Sequence, residues 1–342
     1  MRRGIRCCTS YLVMSVLLWS GFSGSHAAAT LGGLEFPLRC SDHVECVVQN
    51  LFDHDPGPSF SDYNCGALGY DGHDGVDIRV ANLSVMDEGV AVLAAAPGVV
   101  RAVRNDMQDI NIKDGGLGAI KGHEAGNAVA IRHGSDWETQ YSHLRRGSVQ
   151  VKPGDSVKAG DVLGLIGLSG RTEFPHLHFE VRHRGKAVDP FVGPIDGFQC
   201  GSAKSPMWSE GAGKILKYRP TGLLQTGFAT DVPTRKAVEW GETLPEPVSS
   251  SAPAIVFWVE LFGVQQGDIE TIQLFGPDNK TVISARTRQV PGNKARWLSY
   301  VGRKRRGVGW DPGVYQSRYE LMRVHAGKRE VILDLRRTLE VD

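Results

Sequence analysis

Two short stretches of this chain pair residues that can hold a metal ion. HLHFEVR places His176 and His178 two positions apart, and HDGVD places His73 and Asp77 four positions apart. On a strand, residues i and i+2 point to one face, so His176 and His178 converge. An even spacing also lets His73 and Asp77 share a face of an extended segment. Gly75 between them disfavours the helix that a helical zinc motif requires. Two neutral imidazoles and one carboxylate suit zinc, with a fourth position left for water. Such a centre lowers the pKa of that water to about 7. A third stretch, TQYSHLRRG, ends a strand with His143 before the turn at Gly147. A histidine there can take a proton or hold a developing oxyanion. Each stretch taken alone has a plainer reading: a turn rich in Asp and Gly, two half-exposed sheet histidines, and a solvated histidine at a strand end.

The elements that must position these residues read as β-structure. Between about residues 76 and 190, segments such as GNAVAIRHG, WETQYSHL and HLHFEVRHRG are short, rich in Val, Ile and aromatics, and separated by turns. No helical period of useful length interrupts them, so this part is all-β. Residues 105–125 read as a loop inserted between two strands. Residues 30–70 are loop-rich, with several turn formers in DHDPGPSFSDYNCG. Little regular structure is expected there beyond a short helix near Val47–Phe52. Residues 201–253 read as a linker that ends in LPEPVSSSAPA, with GLLQTGFATD supplying a first strand to the C-terminal domain. Residues 254–342 contain a second series of strands at a spacing that suggests an immunoglobulin-like β-sandwich.

The chain of 342 residues carries 39 Lys and Arg against 38 Asp and Glu. This balance argues against a nucleic-acid partner, which calls for a basic excess. The N-terminus reads as a signal peptide over residues 1–29. Arg2, Arg3 and Arg6 precede the apolar run Tyr11–Phe22, and Ala27-Ala28-Ala29 offers a small-residue cleavage site. The run falls short of the roughly 20 apolar residues that span a bilayer. Without the segment the balance is 36 basic to 38 acidic residues, a net charge of −2. Export, to the periplasm or beyond the cell, places Cys40, Cys46, Cys65 and Cys200 in an oxidising compartment. Four cysteines allow three pairings. The favoured one joins Cys40 to Cys46 as a local loop and Cys65 to Cys200 across a domain. No CxxC pair marks a zinc ribbon.

The order HDGVD, then YSHL, then a GLSG turn before PHLHFEVR, resembles the lysostaphin-type (LytM-like, β-lytic) zinc metalloendopeptidases over roughly residues 70–192. That resemblance implies a lysostaphin-type antiparallel β-sheet peptidase domain, here bounded at 71–200. It implies one zinc ion per chain, held by His73, Asp77 and His178. It gives His143 and His176 the catalytic roles: polarising the attacking water and stabilising the tetrahedral intermediate. The implied substrates are peptides of bacterial cell-wall peptidoglycan, in cross-links or stems, cut without a covalent acyl-enzyme. All five positions are filled, as expected of an active enzyme. The rival readings are a non-catalytic relative that regulates a peptidoglycan amidase, and a cell-wall binding protein.

Other polar residues carry weaker expectations. Glu180 shares the strand face of the two histidines, and a rim carboxylate is the simpler reading. Asp74 is expected to point away from the site. Asn127 is a candidate for the groove near His143. Asp53, His54 and Asp55 read as a turn. Tyr141 and Phe174 read as packing or groove-wall aromatics. No residue is assigned to binding an organic cofactor.

Overall fold

A row of antiparallel strands carries the site. The computed structural model describes Met1 and residues 31–40, 46–325 and 327–342. The expected signal peptide, residues 1–29, lies outside the described residues apart from Met1. Among the described residues no helix is long and apolar enough to cross a membrane. Residues 31–342 form one compact unit.

Its first ten strands are β1 (Val47–Asn50), β2 (Val76–Arg79), β3 (Ala91–Leu93), β4 (Gly98–Arg104), β5 (Asn127–His133), β6 (Trp137–Leu144), β7 (Ser156–Val157), β8 (Val162–Leu165), β9 (His176–His183) and β10 (Lys186–Val188). The main sheet runs β1-β2-β9-β6-β5-β4-β7, with β10 paired to β9, and β3 and β8 form a separate ribbon. Along β9, Leu177, Phe179 and Val181 are fully buried in the first hydrophobic core. The alternate positions His176, His178, Glu180 and Arg182 therefore face the other side. Only one of the two faces is left for chemistry, and the alternation of HLHFEVRH selects it.

Val47–Asn50 is a strand, which corrects the expectation of a helix there. Val47 is buried in the first core, and the segment adds to the sheet edge with Val48 opposite Ile78 and Asn50 opposite Asp77. Two adjacent β-branched valines favour that outcome, and pairing with β2 settles it. The insertion at 105–125 does separate β4 from β5. It contains a short helix (Ile112–Gly115) and a 3₁₀ turn (Leu117–Ile120). A further short helix (Leu83–Glu88), capped by Asn82, follows β2.

The C-terminal strands are β11 (Gly222–Ala229), β12 (Ala254–Val264), β13 (Ile269–Phe275), β14 (Val282–Gln289), β15 (Lys294–Lys304), β16 (Gly313–His325) and β17 (Lys328–Val341). They form two antiparallel sheets, β11-β12-β15 and β14-β13-β16-β17. Apolar residues of both sheets, among them Phe257, Val259, Ile272 and Tyr319, share a second core. GLLQTGFATD supplies β11, as expected. Leu224 of β11 and Phe262 of β12 instead belong to the first core, so the two sets of strands pack on each other. The helix Arg235–Trp240 lies in this connection, and Trp240 O accepts from Ser84 Oγ at 2.6 Å. Both expected disulfides are present: Cys40–Cys46 with Cα atoms 6.0 Å apart, and Cys65–Cys200 with Cα atoms 5.3 Å apart.

Candidate metal centre

Strand register brings the site together. Asp77 on β2 lies directly opposite His178 on β9, Asn50 on β1 lies opposite Asp77, and Ser142 on β6 lies opposite His178. One polar row thus crosses four strands. Directly paired residues of an antiparallel ladder have Cβ atoms about 5 Å apart, so Asp77 and His178 must meet. His73 comes from the turn before β2, and its amide donates to Tyr70 O at 3.1 Å.

Three potential ligand atoms converge. His73 Nε2 is 3.1 Å from Asp77 Oδ1 and 3.2 Å from His178 Nδ1, and His178 Nδ1 is 2.9 Å from Asp77 Oδ1. His73 and Asp77 are buried, each 2 % exposed. The opposite ring nitrogen of His73, Nδ1, donates to Leu51 O at 2.7 Å. That bond sets the tautomer and leaves the Nε2 lone pair free. Asn50 Nδ2 donates to Asp77 Oδ2 at 2.8 Å, leaving Oδ1 for the convergent point. Two imidazole nitrogens and one carboxylate oxygen, each oriented by an outer hydrogen bond or neighbour, fit a zinc ion by donor chemistry.

His143 and His176 lie against this cluster. Their rings are 4.7 Å apart between centroids, and His176 Nε2 is 3.4 Å from Asp77 Oδ1. Both are tied at the other nitrogen: His143 Nδ1 donates to Ser169 O at 2.8 Å, and His176 Nδ1 donates to Phe174 O at 2.9 Å. His143 adopts φ of 62°, in the left-handed region that non-glycine residues seldom enter. Such strain persists where the surroundings impose it, and here it accompanies the placement of the ring beside Ser169.

Electrostatics divides the histidines. Burial, and then the nearby His176 and His178, push His143 well below the ordinary histidine value, so its ring is neutral at neutral pH. Burial also opposes a charge on His178, but the carboxylates of Asp74 and Asp77 outweigh it and raise the ring to about 10. Burial pulls the Asp77 carboxyl upward, while His73 and His176 hold it well below the usual carboxylate range.

Gly75 leaves room for the ring of His178. A Cβ on Gly75 would sit 2.7 Å from His178 Cε1 and 2.7 Å from Phe179 O. Only a residue without a side chain lets the imidazole of His178 lie across this strand.

Several minor expectations change. Asp74 does not point away: its Oδ1 is 3.5 Å from His178 Nε2. Glu180 is buried rather than at a rim, and both its oxygens accept from Arg182, at 2.5 and 2.6 Å. Asn127 is fully buried and does not line the groove. It pins the insertion to the sheet, accepting from Met107 N and donating to Met107 O and Leu144 O. Asp53 and His54 anchor loops, as a turn should: Asp53 Oδ1 accepts from the amides of Asp55 and Ser61, and His54 pairs with Asp189. Sequence reasoning passed over Asn50, whose signal was a polar residue closing the apolar run VVQNLF. It also passed over Thr172, whose Oγ1 is 3.0 Å from His176 Nδ1.

The cluster opens into a cavity of about 710 Å³ lined by Asp77 and His176. Tyr70, Lys113, Arg171 and Phe174 form its sides, and Ala295 of β15 reaches it from the C-terminal strands.

Comparison with known proteins falls on this same region. Residues 71–190 match Peptidase family M23. A metalloprotease of Haemophilus influenzae is 33% identical over 129 residues, 38% of this chain and 22% of that protein. Peptidoglycan DD-endopeptidase ShyA of Vibrio cholerae is 34% identical over 117 residues, 34% of this chain and 22% of that protein. DD-carboxypeptidase/endopeptidase Mpg of Neisseria meningitidis is 42% identical over 77 residues, 22% of this chain and 17% of that protein. The chain thus spans about a fifth of the length of these relatives. HDGVD, YSHL and HLHFEVR all lie inside the matched span, on adjoining strands and their turns, so it is the part of the chain holding the candidate metal centre, residues 71–190, that is similar to Peptidase family M23.

Proposed function

We propose that this protein is an exported, zinc-dependent endopeptidase that hydrolyses peptide bonds in bacterial cell-wall peptidoglycan, in the cross-link or the stem. The observation that carries this reading is the convergence of His73 Nε2, Asp77 Oδ1 and His178 Nδ1 beside His143 and His176, in a cluster from which Asp77 and His176 line an open cavity. His73, Asp77 and His178 hold the metal, one ion per chain, and His143 and His176 do the proton work. Relatives named for DD-endopeptidase action on peptidoglycan support the substrate. Two disulfides support an oxidising compartment.

When bound, zinc supplies a Lewis acid that polarises the scissile carbonyl and makes water acidic enough to attack near neutral pH. The chain's own residues do the rest. Neutral His143 offers the lone pair at Nε2 to the proton that the attacking water must lose. His176, whose Nδ1 donates to Phe174 O, presents Nε2 to the same space; as the imidazolium, with a second proton at Nε2, it donates to the carbonyl oxygen that gains charge. Asn50 and Leu51 hold Asp77 and His73 in place throughout. No serine or cysteine nucleophile is called for.

The remaining divisions of the chain belong to the same proposal. Residues 30–70 lead into the peptidase domain at 71–200, residues 201–253 connect, and residues 254–342 with β11 make an immunoglobulin-like sandwich. The order β11-β12-β15 against β14-β13-β16-β17 supports the last point.

Purified peptidoglycan incubated with zinc-loaded protein should release peptides whose masses identify the bond cut, and a chelator should stop the release. Bound zinc with no released peptide would favour the amidase-regulator reading instead.

A further inference from the structure

The catalytic cavity does not end at the peptidase domain. Ala295 lines both that cavity and a second compartment of about 450 Å³, and Arg296 lines the second and a third of about 540 Å³. Glu173 and Phe174 border all three, so they form a ridge along one continuous cleft. The far wall of that cleft is made by the C-terminal half of the chain: the start of β15 and the helix that begins at Arg235.

This wall is held in register with the site. Arg235 Nη2 lies 3.0 and 3.2 Å from the two carboxylate oxygens of Asp114 in the insertion. Arg296 is fixed by the buried Glu260, at 2.5 Å. Leu224 and Phe262 are buried in the first core beneath it. The cleft is thus a product of two sheets and the insertion, not of the peptidase domain alone.

Its charges alternate. Lys113 and Glu173 pair at 2.5 Å with half-exposed side chains. Exposed pairs of this kind contribute little to stability, so a ligand's own charges replace either partner at little cost. Arg171 stands on the cavity wall, exposed, with no ion-pair partner among the described residues. Cations and anions placed side by side along an open cleft suit an extended peptide that carries both carboxylates and a free amino group.

Taking the proposed wall-peptide activity as its basis, we infer that the C-terminal strands form one wall of the substrate cleft, and that Ala295 marks where an extended, zwitterionic peptide passes from the catalytic cavity into the compartment beyond. An arginine at the exposed position 295 blocks that passage without touching either core.

The test uses the full chain and soluble muropeptide dimers released from peptidoglycan by a muramidase. Ala295→Arg should raise KM for the dimers about tenfold, the discrimination that steric mismatch in a substrate pocket supplies, with kcat unchanged. Metal-free Ala295→Arg protein should bind the dimers more weakly by the same factor, measured calorimetrically. Val314→Arg, at an exposed position of β16, should match the wild type in both. Equal KM and equal binding for Ala295→Arg and wild type would overturn the inference. Binding that depends on Ala295, with no hydrolysis by the wild type, would overturn the enzymatic reading and leave the cleft standing.

Discussion

His178 and His143 sit in one cluster yet should fail differently when removed. His178 faces Asp77 Oδ1 and His73 Nε2, so His178→Ala deletes one of three converging donors. Zinc content and activity should fall together. His143 contributes no atom to that triplet; its ring is anchored by Ser169 O. His143→Ala should keep zinc and lose about 10²–10⁴ in kcat, the usual worth of a positioned proton acceptor. Metal analysis beside single-turnover rates separates the two, and equal zinc loss would show that the division of roles is wrong. His178 also makes stability depend on pH. In the metal-free protein its pKa of about 10 lies above the unfolded value near 6.5. Its stabilising contribution is therefore complete below pH 6.5 and is lost as pH rises towards 10. Melting temperature of the chelator-treated wild type should fall across that window relative to His178→Ala. Zinc uptake at pH 7–8 should release about one proton from this ring, since a ligand must be deprotonated to bind. Calorimetry in buffers of different ionisation enthalpy would show that proton, and its absence would refute the assignment.

Strands were easier to anticipate than the contacts between them. HLHFEVRH announced β9 by alternation, and the two histidines had to share its polar face. The helix expected at Val47–Phe52 failed because β1 is decided by the free edge of β2, a pairing that no local pattern reveals. The same applies to the connection after residue 201. It reads as a linker, but Leu216 and Leu224 enter the first core, and Tyr218 Oη donates to Asp62 at 3.0 Å. A chain that stops after residue 215 should therefore lose several kcal/mol of stability, because truncating each buried leucine or phenylalanine costs about 2–5 kcal/mol. Thermal or urea unfolding of residues 31–215 beside residues 31–342 measures this. Identical stability of the peptidase domain in both would show that the packing of Leu224 and Phe262 is incidental.

In the molecule as a whole, Cys65–Cys200 ties the start of the peptidase region to its end. The bridge closes a loop with a sequence separation of 135 residues, against 6 for Cys40–Cys46. In the chain-entropy account a loop of the larger size stabilises by about 5 kcal/mol, and the smaller by roughly half as much. Replacing Cys65 and Cys200 by serine should consequently lower the unfolding free energy more than replacing Cys40 and Cys46. Denaturant titrations of the two double variants would decide, and the reverse order would contradict the loop-length argument.

The five histidine and aspartate positions, the all-β character and the number of disulfides were readable in one dimension because each rests on a short motif, a period of two or a count. Chemistry was legible where spacing alone makes side chains converge: His73 with Asp77, and His176 with His178. The partners that orient them were not. Asn50 meets Asp77 through a strand pairing across 27 positions, and Leu51 O, Phe174 O and Ser169 O are backbone groups with no sequence signature. Asp74 and Glu180 were misjudged for the same reason, since burial and side-chain direction depend on neighbouring strands. The wall at Ala295 belongs wholly to long-range packing. It arises because Leu224 and Phe262 find their apolar surroundings in the first core, more than 120 residues from the segments that hold the histidine motif at 73–77.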